Sequence, residues 1–180
     1  MSLVLETHRL CLRLWQEQDF EAYAQICADP EVMRYLGGST YSRLEAWRHF
    51  AYLVGHWHLR GYGHWAVIEK SSGQLIGRLG LQNPEGWPGF ELGWTLAKEA
   101  WGKGYATEGA QRVLQYAFRE MKRSQVISII HPQKQRSIRV AQKLGEKYLS
   151  KTVLLGIEVL IYGIDRQTWQ DLLREQDSPV

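Results

Sequence analysis

The sequence predicts one mixed α/β domain built on a largely antiparallel sheet. Three observations point there. Period-two and period-3.6 segments follow one another along the whole chain. Most strand-like runs arrive as neighbours joined by short turns. Only the middle strand–helix–strand–helix run has the order that parallel pairing needs. A length of 180 residues fits one ordinary domain.

The elements follow in order. "HRLCLRLW" at 8–15 alternates as a strand with Leu10, Leu12 and Leu14 on one face. "EQDFEAYAQICA" at 17–28 places Phe20, Tyr23, Ala24 and Cys27 at helical spacing, and the "DP" at 29–30 breaks it. Ser42 and Glu45 form a capping box for a helix over about 43–59, with Leu44, Trp47, Phe50, Ala51 and Val54 as its apolar stripe. "HWAVIEK" and "LIGRLGLQ" read as a hairpin across "SSGQ", and "NPEGWPG" at 83–89 is turn chemistry before the strand "FELGWTL" at 90–96. A helix over about 105–121 carries Ala106, Ala110, Val113, Leu114, Ala117 and Met121 on one face. "SQVISIIH" is a strand, and "SIRVAQKL" at 137–144 a helix stopped by Gly145. "KTVLLG" and "EVLIYGI" pair as the last strands, "RQTWQDLLRE" is a closing helix, and a short polar tail follows. The order is β-α-α-β-β-β-α-β-α-β-β-α, with no repeat or linker.

Composition narrows the function. Hydrophobic residues at 44% and charged residues at 23% describe a globular chain. A net charge of +3 suits one small polyanion and argues against a general nucleic-acid binder. No apolar run reaches the roughly 18 residues of a membrane helix, and "MSLVLETHRL" lacks the parts of a signal peptide. Cys11 and Cys27 read as free thiols of a cytoplasmic protein. Eight tryptophans and nine tyrosines should mostly be core, with room for either a monomer or a homodimer.

The stretch "ELGWTLAKEAWGKGYATEGA" carries the most chemistry. Gly102 and Gly104 flank Lys103 between a strand and a helix. Glycines there let backbone N–H groups converge on a ligand, and the helix start adds open donors and a positive dipole end. A tight turn with no ligand would read the same. The dinucleotide fingerprint needs a third glycine where Thr107 stands, the ATP-binding P-loop needs a Gly-Lys-Ser/Thr, and the kinase loop joins two strands. None fits.

"WGKGYATEGA", with "DPEVMRYL" upstream, "SIRVAQKLG" downstream and "YGIDRQTW" near the end, resembles the GCN5-related N-acetyltransferases. Within them it is similar to the branch that includes the ribosomal-protein N-terminal acetyltransferases. The match spans about residues 7–169, so a domain over 7–170 and a tail over 171–180 are expected, on a sheet of about seven strands. The resemblance implies acetyl-coenzyme A as co-substrate. Its diphosphate would meet Trp101, Gly102, Lys103, Gly104, Tyr105, Ala106 and Thr107. Its pantetheine would run along Trp94, Thr95 and Leu96 where strands splay. Lys134 stands where the family commonly has Asn, and Ala141 where many members have a Tyr that reprotonates the thiolate.

The reaction needs a base, a polarised carbonyl and a steadied leaving group. Alternation puts Glu91, Gly93 and Thr95 opposite Phe90, Leu92, Trp94 and Leu96. Glu91 is the candidate base, or else an exposed strand glutamate. Ser137 is a candidate donor to the sulfur, or else an N-cap. Backbone N–H of Trp94 or Leu96 would polarise the thioester. Arg136, Arg139 and Lys143 would meet the ribose 3′-phosphate, or form a solvated face. His49, His56, His58 and His64 lack metal-ligand spacing and read as surface or acceptor-side groups, so no metal is expected. The acceptor side falls to 30–60 and 83–89, with Trp47, Trp57, Tyr35, Tyr41 and Trp87 as candidates. The expected activity is acetyl transfer to a primary amine, a protein N-terminus or a small molecule. A catalytically weak acyl-coenzyme A-binding module and an unrelated nucleotide binder are the alternatives.

Overall fold

A computed structural model describes the backbone of residues 3–177 and the side chains of 3–175. The elements are β1 (Leu5–Glu6), β2 (Leu10–Arg13), α1 (Phe20–Ala28), α2 (Pro30–Met33), α3 (Arg43–Arg60), β3 (His64–Glu69), β4 (Leu75–Gln82), β5 (Glu91–Leu96), α4 (Tyr105–Arg119), β6 (Gln125–Ile130), α5 (Gln135–Lys143), β7 (Lys147–Leu154), β8 (Ile157–Asp165) and α6 (Arg166–Asp177). One sheet of eight strands runs β1-β2-β3-β4-β5-β6-β8-β7, antiparallel except where β5 meets β6.

Two short elements were not foreseen. Leu5–Glu6 adds an eighth strand by pairing with β2, and Leu5 is fully buried. The Asp-Pro break also starts α2: Asp29 Oδ1 accepts from Glu31 N–H at 2.7 Å while Pro30 occupies the first turn, where it has no bond to lose. The sequence expectation that 17–19 belongs to the first helix gives way to a single 3₁₀ turn.

The predicted box at Ser42 and Glu45 is formed, and Gly61 ends α3 in the left-handed region. Its stripe, however, is rotated from the expected one. Ala46, Phe50, Leu53 and His56 are buried, while Leu44, Trp47 and Val54 are 59%, 46% and 44% exposed. Small Ala46 lets α1 approach, so Phe50 and Leu53 pack with Tyr23, Ala24 and Cys27. Trp47 keeps only an edge contact with Phe20, centroids 5.0 Å apart.

Alternation along β4 divides the molecule. Leu79 packs against Gly109 of α4 and joins the main core with Leu92, Val113 and Leu114. Arg78 points the other way, toward Tyr23 of α1 and His49 of α3. α5 begins two residues earlier than expected, because Ser137 and Ile138 N–H both reach the Lys134 carbonyl. The expected tail from 171 is α6 through Asp177, with Leu172 and Leu173 against the core. Residues 178–180 lie outside the described residues.

Candidate active site

The site begins with a parting of strands. Ala97 N–H donates to Ile76 at 2.8 Å, which turns odd-numbered backbone groups of β5 toward β4 and even-numbered ones toward β6. β5 and β6 pair only at Glu91 and Ile127, beside a bond from Ile127 N–H to Phe90. Beyond that point no strand covers the β6-facing groups of Trp94 and Leu96. Ser128 Oγ sits 2.9 Å from both the Leu92 carbonyl and Glu146 Oε1. A hydroxyl donates one proton. Burial pushes the Glu146 carboxyl up to about 8, which favours the protonated form, the form able to donate to Ser128 while Ser128 donates to Leu92. This bridge holds the start of the gap.

The gap opens into a cavity of about 750 Å³ lined by β5, the turn and start of α4, α5, and the α2 segment with Glu31, Val32, Arg34 and Tyr35. β5 supplies Trp94, Thr95 and Leu96. The turn and the first turn of α4 supply Trp101, Gly102, Gly104, Tyr105, Ala106 and Thr107. α5 supplies Lys134 and Ser137. Trp101 Nε1 donates to the Leu96 carbonyl at 2.9 Å. Gly102 and Gly104 take φ of +76° and +83°, so the turn needs glycine at both. Gly104 caps α4 with no side-chain bond, and the first-turn N–H groups are left for a ligand. Such a helix start suits a phosphate.

Lys103 is the one expected cofactor residue not on the cavity wall; its ammonium lies on the Glu69 side, and its carbonyl accepts from Arg9 Nη1 at 2.9 Å. Arg9 is a clamp that sequence reasoning missed. Its Nε donates to Glu108 Oε2 at 2.7 Å and its guanidinium lies 4.5 Å from the Tyr105 ring centroid. These partners are about a hundred residues apart, beyond any local pattern.

Arg34, Arg136, Arg139 and Lys143 line the cavity, and none forms an ion pair among the described residues. Arg136 stacks 4.9 Å over Trp101. The α5 cations are exposed on the cavity wall, a position that fits both open readings. A diphosphate and a ribose phosphate fit this wall and the open helix start.

Glu91 is not the exposed glutamate of the plain reading. It is 7% exposed, and Oε2 accepts from Gln82 Nε2 and Trp87 Nε1, both at 2.6 Å. Burial raises its pKa, and those two bonds, Arg78 and the Ile129 N–H oppose the rise. Trp87 was foreseen on the acceptor side; Gln82 was not.

The histidines are corrected too. His56 and His64 are 6% and 2% exposed rather than surface groups. His64 Nδ1 lies 2.9 Å from Arg78 Nη1, and arginine only donates, so the imidazole is neutral with its proton on Nε2. Burial, then Arg78, lowers its pKa. His49 Nδ1 lies 2.8 Å from the Tyr23 hydroxyl, and burial, then Arg78, brings it down to about 3. No group of three His, Cys, Asp or Glu side chains is placed for a metal among the described residues.

On α5, Ser137 is buried in the first turn and is not an N-cap. Ala141 is fully buried against Ile130, Ile138 and Tyr162 and offers no acid. Lys134 lies across the cavity from β5; burial, then Arg78, brings it down to about 8, against a pull from Glu91. Of the other acceptor candidates, Tyr35 lines the cavity, Tyr41 and Trp57 pack into the core, and Trp47 faces outward. A second hollow of about 380 Å³, around Phe118 and Trp169, holds no carboxyl or thiol.

The chain is similar to known proteins in sequence and fold. Residues 9–147 match the acetyltransferase (GNAT) domain family, and the chain belongs to it. The uncharacterized protein YkkB of Bacillus subtilis (strain 168) is 35% identical over 157 residues, 83% of this chain and 87% of that protein. The uncharacterized N-acetyltransferase YnaD of the same organism is 28% identical, covering 92% and 98%. The acetyltransferase from Agrobacterium tumefaciens str. C58 superposes with a TM-score of 0.81 at 29% identity, over 90% of this chain and 94% of its own.

Proposed function

We propose that the chain transfers an acetyl group from acetyl-coenzyme A to a primary amine, with Glu91 as base. The co-substrate supplies an activated thioester carbonyl. The rest falls to the protein. The first turn of α4, with Arg136, Arg139 and Lys143, holds the polyanion. Backbone N–H groups of β5 at Trp94 and Leu96 polarise the carbonyl oxygen. Glu91, directly or through one water, takes a proton from the amine. Lys134 holds a proton whose acidity, at about 8, matches a thiol of pKa ~8.5, and it is the donor to the departing sulfur, with Ser137 beside it on the wall. Cys11 and Cys27 are free and fit a reducing cytoplasm. A protein N-terminus is the acceptor that the family branch suggests, and a small amine is the other class.

The observation that carries this reading is the buried carboxyl of Glu91, held by two donors at the point where β5 and β6 part. The test is thiol release from acetyl-coenzyme A that depends on an added amine. Glu91→Gln should lower kcat about 10²- to 10³-fold and remove the rise of rate with pH. Equal rates in wild type and variant across pH would end the assignment.

A further inference from the structure

We propose that the acceptor amine carries a carboxylate on the same small molecule, and that Arg78 and His64 receive it on the β3–β4–β5 face beside Glu91. This rests on the transferase reading above and narrows its substrate class.

The register builds the subsite. Gln82 pairs with Glu91, Arg78 with Thr95, and Ala66 with Arg78. Alternation then puts His64, Arg78, Gln82, Glu91 and Thr95 on one face, opposite the α4 core. Gly93 sits among them, and its missing side chain lets them approach one another. A Cβ there would stand 3.1 Å from His64 Cε1, 3.5 Å from Nε2 and 3.4 Å from Glu91 Oε1. The base and the imidazole edge therefore close on one point that only a glycine leaves clear. Two buried polar atoms on this face have no partner, His64 Nε2 and Thr95 Oγ1. Buried polar atoms are normally satisfied, so an unfilled pair marks a place for a ligand.

Arg78 and Glu91 share this face, but no ion pair joins them. Arg78 forms no ion pair among the described residues, and its hydrogen-bonded side chain is a neutral imidazole. The other groups within its field are Tyr23 and Cys27 on α1, Tyr41, His49 and Tyr52 at α3, Lys134 on α5, and Glu91. Glu91 is the single anion in that set. A partly buried guanidinium with no carboxylate in contact is costly, and it binds carboxylates through two parallel bonds. Arg78 is partly exposed, so a ligand can reach it. A carboxylate suits the face better than a phosphate dianion, whose second charge would lie near Glu91.

The experiment compares matched acceptors in the thiol-release assay: each of the common amino acids against its amide, with O-phosphoethanolamine and the neutral peptide alanyl-alanine amide. The amide holds the less basic amine, so free-base reactivity alone favours it. The expected result is a kcat/KM on the order of 10- to 100-fold higher for an acid than for its amide. Arg78→Gln should collapse that ratio toward one, and Arg78→Lys should keep part of it, with melting curves and coenzyme A affinity as checks on folding. A ratio of one in wild type, an undiminished ratio in Arg78→Gln, or a preference for the phosphate or the peptide overturns the proposal. If no amine releases thiol, the transferase reading fails separately. Calorimetry with the amino acids and coenzyme A then decides: binding lost in Arg78→Gln supports the subsite, and no difference from wild type overturns it.

Discussion

Glu91 shows how a single residue becomes a base. Desolvation favours its protonated form, and donors from Gln82 and Trp87 favour the ionised one. Rate should therefore rise with pH through a carboxyl pKa above the ordinary range. Trp87→Phe removes one donor, so the acid limb of the kcat/KM profile should move to higher pH by about one unit; an unmoved limb would show that the indole does not tune the carboxyl. Lys134 predicts the other limb. A general acid must be protonated, so kcat should fall as pH rises through about 8, and Lys134→Met should lose that fall along with roughly tenfold or more in rate. An unchanged alkaline limb in the variant would remove Lys134 from the proton path. Glu91 was legible because "FELGWTL" alternates. Gln82, Arg78 and His64 were not, because register with β5 and β3 brings them there and no local pattern encodes register.

Among the elements, α4 was the most legible, since its start is written in two glycines and its core face in a 3.6-residue period. Gly104→Val should put a β-branched residue at φ +83°, costing about 1–3 kcal/mol in stability and at least tenfold in coenzyme A affinity. Calorimetry checks this, and undiminished affinity would detach the turn from the ligand. For α3 the caps were readable but the buried face was not. Its apolar residues surround more than one stripe, and packing against α1 selects Ala46, Phe50 and Leu53. Ser137 misled for a related reason: a serine at a helix start looks like a cap, yet α5 starts at Gln135.

Across the whole molecule, the order of elements could be read because most sheet neighbours are also sequence neighbours. The splay could be expected only from the family resemblance, and the bridge at its start from Glu146 through Ser128 to Leu92 could not be read at all, because it joins three distant segments. That bridge has a stability signature. The folded state holds the Glu146 proton up to about 8, while an unfolded carboxyl releases it near 4.5. The native state thus binds more protons between those values, and stability falls as pH rises through that window. Glu146→Gln cannot titrate, so it should gain on wild type by on the order of 1–3 kcal/mol between pH 5 and 8 in chemical denaturation. Parallel curves would show that the carboxyl is ionised in the fold.

A crystal structure of the protein with coenzyme A bears most directly on all of this. The diphosphate should lie on the N–H groups of residues 102–107, with pantetheine entering between β5 and β6 toward Glu91. Density for the diphosphate elsewhere, or a β5–β6 gap left empty beside bound ligand, would contradict it.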